Sequence, residues 1–175
     1  TVGFSNSVLS FLTKAPKDTV IFLPERAPFN DGIRMHNRLK ERNIHSVLIS
    51  DSSIMAIMPK ITTILLPVRA VVANGAIISY SLAYQVAIAA QHYAKPVLAL
   101  CWDMKKMKKI KTPGIEHVYI KQPTLLSDNV CPTDKGPIAL NTEGDWIPPE
   151  MITLIISDVS MCCPADIYQS VMSVD

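Results

Sequence analysis

The chain has 175 residues, about half of them apolar, and a formal charge of +2. A chain of this length buries a core without help from disulfides or metal, and so balanced a charge excludes a dedicated nucleic-acid binder, so no direct contact with DNA is expected. Its apolar runs, such as Val97 to Trp102 and Met151 to Ile156, are strand-length and fall far short of a membrane span, and no signal-peptide pattern is present.

Short β-branched runs alternate with helical patterns along the chain. The first helix is predicted over Asn6 to Lys14 behind Ser5 or Asn6 as cap, and the first strand over Val20 to Leu23. A helix follows over Asp31 to Arg42, capped by Asn30 or Asp31, then a strand over Val47 to Ser50. A short helix is predicted over Ser53 to Met58 behind Asp51 or Ser52, then a strand over Ile61 to Leu66. The best helical pattern is Ser79 to Tyr93, where Leu82, Val86, Ala89, Ala90 and Tyr93 recur on one face. Strands are predicted over Val97 to Cys101 and Ile152 to Ser157, and a last helix over Ala165 to Met172 with Pro164 in its first turn.

The strands are nearly continuous apolar runs, as a sheet covered on both faces requires. Together with the alternation they predict one α/β domain over residues 1–175, Rossmann-like and doubly wound, with a mainly parallel sheet and helices on both faces. Between Asp103 and Pro149 the pattern dissolves into Lys-, Pro- and polar-rich sequence with apolar islands at Val118 to Ile120 and Ile138 to Leu140, read as a long excursion. Its basic run, Lys105 to Lys111, reads first as a solvated loop, because like charges so close repel one another, with a contact to acidic protein or RNA as the alternative.

The stretch PVRAVVANGAIISYSLAYQVAIAAQ, residues 67–91, reads as a strand, an Asn-Gly turn and then a helix. Such a junction places backbone N–H groups and a helix N-terminus at the carboxyl edge of a sheet, where anionic ligands usually sit. Asn74 and Gly75 are most simply a turn in which Gly75 supplies a conformation closed to other residues. Asp51 reads as a helix cap or as a polar group at the pocket mouth. Arg26 and Asp31 flank Pro28 in a loop after a strand, a place where binding residues often occur, and the sequence assigns them no role. The four cysteines have no C-x-x-C spacing and read as reduced thiols; His36, His45, His92 and His117 have no metal-ligand spacing, so no metal or cofactor is expected. A dinucleotide site is also disfavoured, since no G-x-G-x-x-G turn follows any strand.

Five segments, PERAPFNDG at 24–32, LISDSSIMAIM at 48–58, VVANGA at 71–76, QVAIAAQHYAKPV at 85–97 and IPPEMITLIISDV at 147–159, resemble in order and spacing the regulatory subunits of translation initiation factor 2B. The E-x-A-P-F element at Glu25 to Phe29 and Pro148-Pro149-Glu150 look most like the beta subunit, with delta and alpha as neighbours. The resemblance implies a cytoplasmic, non-catalytic scaffold within a guanine-nucleotide exchange factor, with delta-like and alpha-like subunits and the GTP-binding factor that carries initiator tRNA as partners. It also implies a C-terminal domain, without the helical domain that precedes it in the family; the chain opens on Thr1 with no Met and reads as a fragment. The surplus of apolar residues suggests self-association when the domain is isolated, with Pro148, Pro149 and Glu150 as interface candidates because the prolines fix an extended backbone.

These subunits are also similar in fold to methylthioribose-1-phosphate and ribose-1,5-bisphosphate isomerases, so the alternative is a sugar-phosphate isomerase. The isomerase pattern has an Asp five positions before the Asn of Asn-Gly, a second Asp just after the turn, and then Asn-Lys-x-Gly-Thr. Here the first position is Arg69, and a guanidinium keeps its proton and cannot serve as a base. The second is Ala76, and the run is Ser79-Tyr80-Ser81-Leu82-Ala83, without the ammonium, the amide or the glycine that lets a phosphate approach the backbone. Asp51, Arg69, Asn74, Gly75, Tyr80, Leu82 and Ala83 are therefore expected to line a degenerate pocket with no catalytic residue.

Overall fold

In the computed structural model, which describes residues 1–101, 108–110, 120–121, 141–158 and 160–167, the apolar runs become strands whose alternate side chains enter two different cores. Helix α1 (Asn6–Leu12) is capped by Ser5, whose hydroxyl accepts from Val8 N. It is followed by β1 (Ile21–Pro24), α2 (Asp31–Lys40) and β2 (Ser46–Ile49). A mixed stretch comes next, 3₁₀ over Asp51–Ser53, a four-residue α3 (Ile54–Ile57) and 3₁₀ again over Met58–Lys60, because Pro59 denies the helix an internal donor. Strands β3 (Ile64–Pro67), β4 (Ala70–Val72) and β5 (Ile77–Tyr80) lead into α4 (Ala83–His92) and β6 (Val97–Cys101). The remaining described strands are β7 (Lys108–Ile110), β8 (Ile120–Lys121), β9 (Asn141–Thr142), β10 (Gly144–Ile147), β11 (Leu154–Ser157) and β12 (Met161–Cys162).

Strands β3, β6 and β11 are parallel neighbours, with Ile64 opposite Val97 and Leu154 opposite Leu98, and β12 closes their far edge antiparallel. Strands β1 and β2 form a parallel pair. Ile64, Leu66, Val97, Ala99 and Ile155 point to one face, against Val86, Ala87 and Ala90 of α4, where alanines let helix and sheet approach closely. Leu65 and Leu100 point to the other, against Val8, Leu9 and Leu12 of α1 and Met35 and Leu39 of α2. Each fully buried Leu or Ile contributes about 1.5–3 kcal/mol. The layers are helix, mainly parallel sheet, helix, as the apolar runs predict.

A second sheet, in the order β10-β5-β4-β7, is one the sequence does not announce. The segment expected to turn directly into a helix instead forms an antiparallel hairpin, with Ala70 opposite Ile78. The predicted helix at Ser79 to Tyr93 therefore starts later, at Ala83, because Ile77–Tyr80 is shared between β4 and β10. The chain turns at Leu82, which sits at φ 79°, and no side chain of its own caps α4. The excursion ends in a strand of this sheet, since Gly144–Ile147 pairs with β5. The strand predicted from Ile61 begins only at Ile64. Pro148 is extended, but Pro149–Met151 is a 3₁₀ turn and not a continuous extended approach to β11. Cys131, His117, residues 105–107 and 111 of the basic run and residues 168–172 of the last predicted helix lie outside the described residues, while Lys108–Ile110, expected in a solvated loop, is strand β7 beside β4.

Candidate functional site at the carboxyl ends of the strands

The chain leaves β1 through Arg26, whose backbone is left-handed at φ 55°, and a cis Ala27-Pro28 bond follows. Arg26 as a whole is buried, at 4% exposure. A buried guanidinium needs partners for its charge and its donors. Both carboxylate oxygens of Asp31, in the first turn of α2, accept from it, with Nε 2.7 Å from Oδ1 and Nη2 bonded to Oδ2. Nη1 donates to Ser81 Oγ at 2.8 Å. The guanidinium carbon of Arg26 lies over the rings of Phe29 and Tyr80, 4.3 and 5.0 Å from their centroids, within reach of a cation–π attraction to both.

Asp51, immediately after β2, holds the same loop from the other side. Its two oxygens accept from Arg26 N and Ala27 N, both at 2.8 Å. It therefore clamps the β1 loop and does not cap the helix that follows, where Ser50 is the capping position. Asn30, likewise expected as a cap, is left-handed at φ 53° and makes no side-chain cap bond to α2.

Arg69, on the hairpin, reaches the same neighbourhood. Its Nη2 donates to Glu143 Oε1 at 3.2 Å, and its guanidinium lies 5.4 Å from the Tyr80 centroid. Tyr80 thus has Arg26 and Arg69 against its ring, and its hydroxyl donates to Phe4 O at 2.7 Å. Burial pushes the Tyr80 phenol above its ordinary range, against the pull of Arg69.

At the N-terminus of α4, where exposed N–H groups and the helix dipole favour an anion, the chain supplies its own. Asp145, carried on β10, accepts from Tyr84 N at 3.0 Å. Burial raises its pKa above the ordinary carboxylate value, opposed by its backbone bonds to Tyr84 and Leu82 and by the charge of Arg26. Leu82 and Ala83 form the turn beneath it.

The structure divides the residues expected to share one pocket. Asp51, Arg69, Tyr80, Leu82 and Ala83 belong to the loops around Arg26 and the start of α4. Asn74 and Gly75 do not, because they are the tip of the hairpin, at the end opposite Arg69 and Tyr80. Gly75 N donates to Val72 O at 2.9 Å and Asn74 Oδ1 accepts from Ala76 N at 3.1 Å, so both serve the turn. Gly75 has φ +86°, and a Cβ there would lie 2.2 Å from the carbonyl oxygen of Pro164. The expected strand–turn–helix junction is thereby corrected to a strand–hairpin–strand–helix path.

Ser81, Glu143 and Asp145 escape a sequence reading. Ser81 lies inside a predicted helix, and the two acids lie in a region with no periodicity. Arg26 and Asp31 carry the one legible signal, an arginine and a carboxylate five residues apart around Pro28. Among the described residues no group of His, Cys, Asp and Glu is placed to hold a metal ion, and no helix is long and apolar enough to cross a membrane.

Residues 1–164 match the initiation factor 2 subunit family. The chain is 30% identical over 179 residues to translation initiation factor eIF2B subunit beta of Schizosaccharomyces pombe, covering 97% of this chain and 44% of that protein. It is similar in structure to the translation initiation factor eIF-2B of Pyrococcus horikoshii, with TM-score 0.81 and 19% identity over 96% of this chain and 58% of that one. The 5-methylthioribose 1-phosphate isomerase of the same organism shares the fold with TM-score 0.75 and 18% identity over 89% of this chain and 46% of that one. The chain thus spans about half the length of these proteins. A match over nearly all of its residues places it plainly: the chain belongs to the initiation factor 2 subunit family.

Proposed function

We propose that this chain is the Rossmann-like C-terminal domain of a non-catalytic, beta-like regulatory subunit of translation initiation factor 2B. In that role it scaffolds a cytoplasmic guanine-nucleotide exchange factor acting on the GTP-binding factor that carries initiator tRNA. The observation that carries the reading is the Asp145 carboxylate on the first turn of α4. A phosphate seated there would meet a carboxylate already bonded to the N–H it needs, and two anions at one helix end repel each other.

Two further features support the same reading. The position where the isomerase pattern has an acid is Arg69, ion-paired to Glu143, and the Arg26 guanidinium is engaged by Asp31 and Ser81. Neither arrangement presents a base to a substrate carbon or hydroxyl. The resemblance to an isomerase is a resemblance of fold, and chemistry belongs to the site. Delta-like and alpha-like subunits are the proposed partners, with self-association in their absence and Pro148, Pro149 and Glu150 as the proposed contact.

The test is a coupled assay of the full-length protein with methylthioribose-1-phosphate and ribose-1,5-bisphosphate, alongside affinity purification from its source. No turnover above buffer, and initiation-factor subunits among the co-purifying chains, are the expected results. Turnover of either sugar phosphate that is lost on changing a residue of this site overturns the reading.

A further inference from the structure

Strand β2 has β1 on one side and, among the described residues, no strand on the other. Ile21 N donates to His45 O and Glu25 N to Ile49 O, both at 3.0 Å, so the His45 and Ile49 carbonyls face β1. The alternation of a parallel ladder then points the N–H and C=O groups of Ser46 and Leu48 away from β1, along the open edge. Such a row is a template for another strand, and edges are ordinarily blunted by lysine, proline, a bulge or a very short length. Strand β12 is blunted in this way, with two residues and Pro164 just beyond it. Ser46-Val47-Leu48-Ile49 carries no charge and no proline.

Apolar side chains line the same edge. Leu23, which packs against Met35 and Leu39 of α2, is the register partner of Leu48, so Leu48 stands on the face that α2 covers. His36 Nδ1 lies 2.9 Å from Ser46 Oγ, which fixes the helix against the strand. A crossover helix runs back against its strands, so Ile33, nearly one turn before His36, comes level with Leu48, two residues beyond Ser46. Leu48 is 38% exposed and Ile33 39%, two large apolar side chains that the fold leaves partly in water at an open edge.

We infer that the β2 edge is a self-recognition surface, on which a second copy of this chain adds its own β2 antiparallel across a two-fold axis at Leu48. The residues of the edge select this occupant. A two-fold at Leu48 sets Leu48 against its own copy, Val47 against Ile49, Ser46 against Ser50 and His45 against Asp51. Apolar residues thus meet apolar ones, hydroxyl meets hydroxyl, and the outermost pair joins an imidazole to a carboxylate. The backbone groups match as well. Leu48 exchanges both ladder bonds with its copy, and Ser50, still extended, brings its N–H to the Ser46 carbonyl. The ladder ends there, because Ser50 O already accepts from Ser53 N at 3.0 Å. So short an edge buries far less than the about 1,200 Å² of a stable complex, which makes the contact a transient one. It is separate from the contact proposed at Pro148 to Glu150 and does not depend on the regulatory role.

Cross-linking of the full-length protein under oxidised glutathione tests the register. Facing residues of such a pair lie about 5.5 Å apart at Cα, within disulfide range, so Leu48→Cys is expected to form a covalent dimer about fivefold or more faster than the parent, whose own cysteines set the background. A mixture of Ser46→Cys and Ser50→Cys chains, which leaves Leu48 untouched, is expected to link above background, whereas either chain alone stays at it. Adding Leu48→Lys to both chains of the mixture sets two ammonium groups against each other and is expected to slow that link about tenfold. Linking of Leu48→Cys at the parent's rate overturns the proposal. Self-linking of Ser46→Cys as fast as its linking to Ser50→Cys, or a mixture indifferent to Leu48→Lys, overturns it too.

Discussion

Arg26 concentrates the chemistry of the site on one side chain, and its surroundings determine what a substitution does there. Its side chain is 5% exposed and that of Asp31 is 18% exposed, so the pair is largely withdrawn from water. Removing one member of such a pair leaves an uncompensated buried charge, which costs about 3–5 kcal/mol, whereas replacing both with apolar residues of similar volume is often neutral. Asp31→Asn keeps the volume and part of the hydrogen bonding, so a loss near the lower end, about 3 kcal/mol, is expected in urea unfolding. The double variant Arg26→Met with Asp31→Leu is expected to recover most of it. A neutral Asp31→Asn would show that Ser81 and the two aromatic rings alone suffice to hold the guanidinium.

The start of α4 shows an element completed from outside itself. Leu82 carries no capping oxygen, so the first-turn donors of the helix depend on Asp145 of β10, a strand some sixty residues away. Burial raises the folded pKa of Asp145 above its ordinary value of 3.8. The sign follows from linkage: an acid whose folded pKa is raised stabilises most below the unfolded value and loses that contribution as pH rises through the folded value. The difference in unfolding free energy between the parent chain and Asp145→Asn is therefore expected to move against the parent as pH is raised from 3.5 to 7. Urea titrations of both chains over that range measure it. A parent that gains on the variant with rising pH would mean that the helix end and Arg26 stabilise the carboxylate more than burial penalises it. The hairpin before α4 is a similar case, where the tip is held by Asn74 and by a glycine pressed against Pro164.

For the whole molecule, the amine of a chain that begins at Thr1 is buried, with a consequence in the neutral range. The Thr1 amine has its pKa lowered from 8.0 to about 6 by desolvation. A base with a depressed folded pKa contributes stability that is complete above the unfolded value and is lost as pH falls through the folded one. The chain that starts at Thr1 is therefore expected to gain stability between pH 6 and pH 8, and the gain is expected to vanish when the amine is acetylated. Thermal melts of the free and acetylated chains in that window, with buffers matched in ionic strength, read the difference. Identical pH profiles for the two would place the amine in water and not against the Phe22 carbonyl.

Local chemistry by itself determined the layered α/β class, because strands buried on both faces must be apolar throughout and Val20 to Leu23, Val97 to Cys101 and Ile152 to Ser157 carry that signal within four to six residues each. It narrowed the first cap to Ser5 or Asn6, of which the structure uses Ser5, and it determined the turn at Asn74-Gly75, because each is satisfied within a few residues. It also carried the family resemblance, and with it the expectation that Arg69 stands where the isomerase pattern has an acid. Tertiary structure alone decided that Ile77–Tyr80 is a strand, since its place depends on Ala70–Val72 and Gly144–Ile147 lying on either side. It decided that Asn74 and Gly75 lie apart from Arg69 and Tyr80, because a hairpin reverses the chain between them. It decided, too, that Asp51 clamps the Arg26 loop and that Asp145 fills the end of α4. A carboxylate reads alike in every sequence context; what it bonds depends on which distant N–H or guanidinium the fold brings within 3 Å of it.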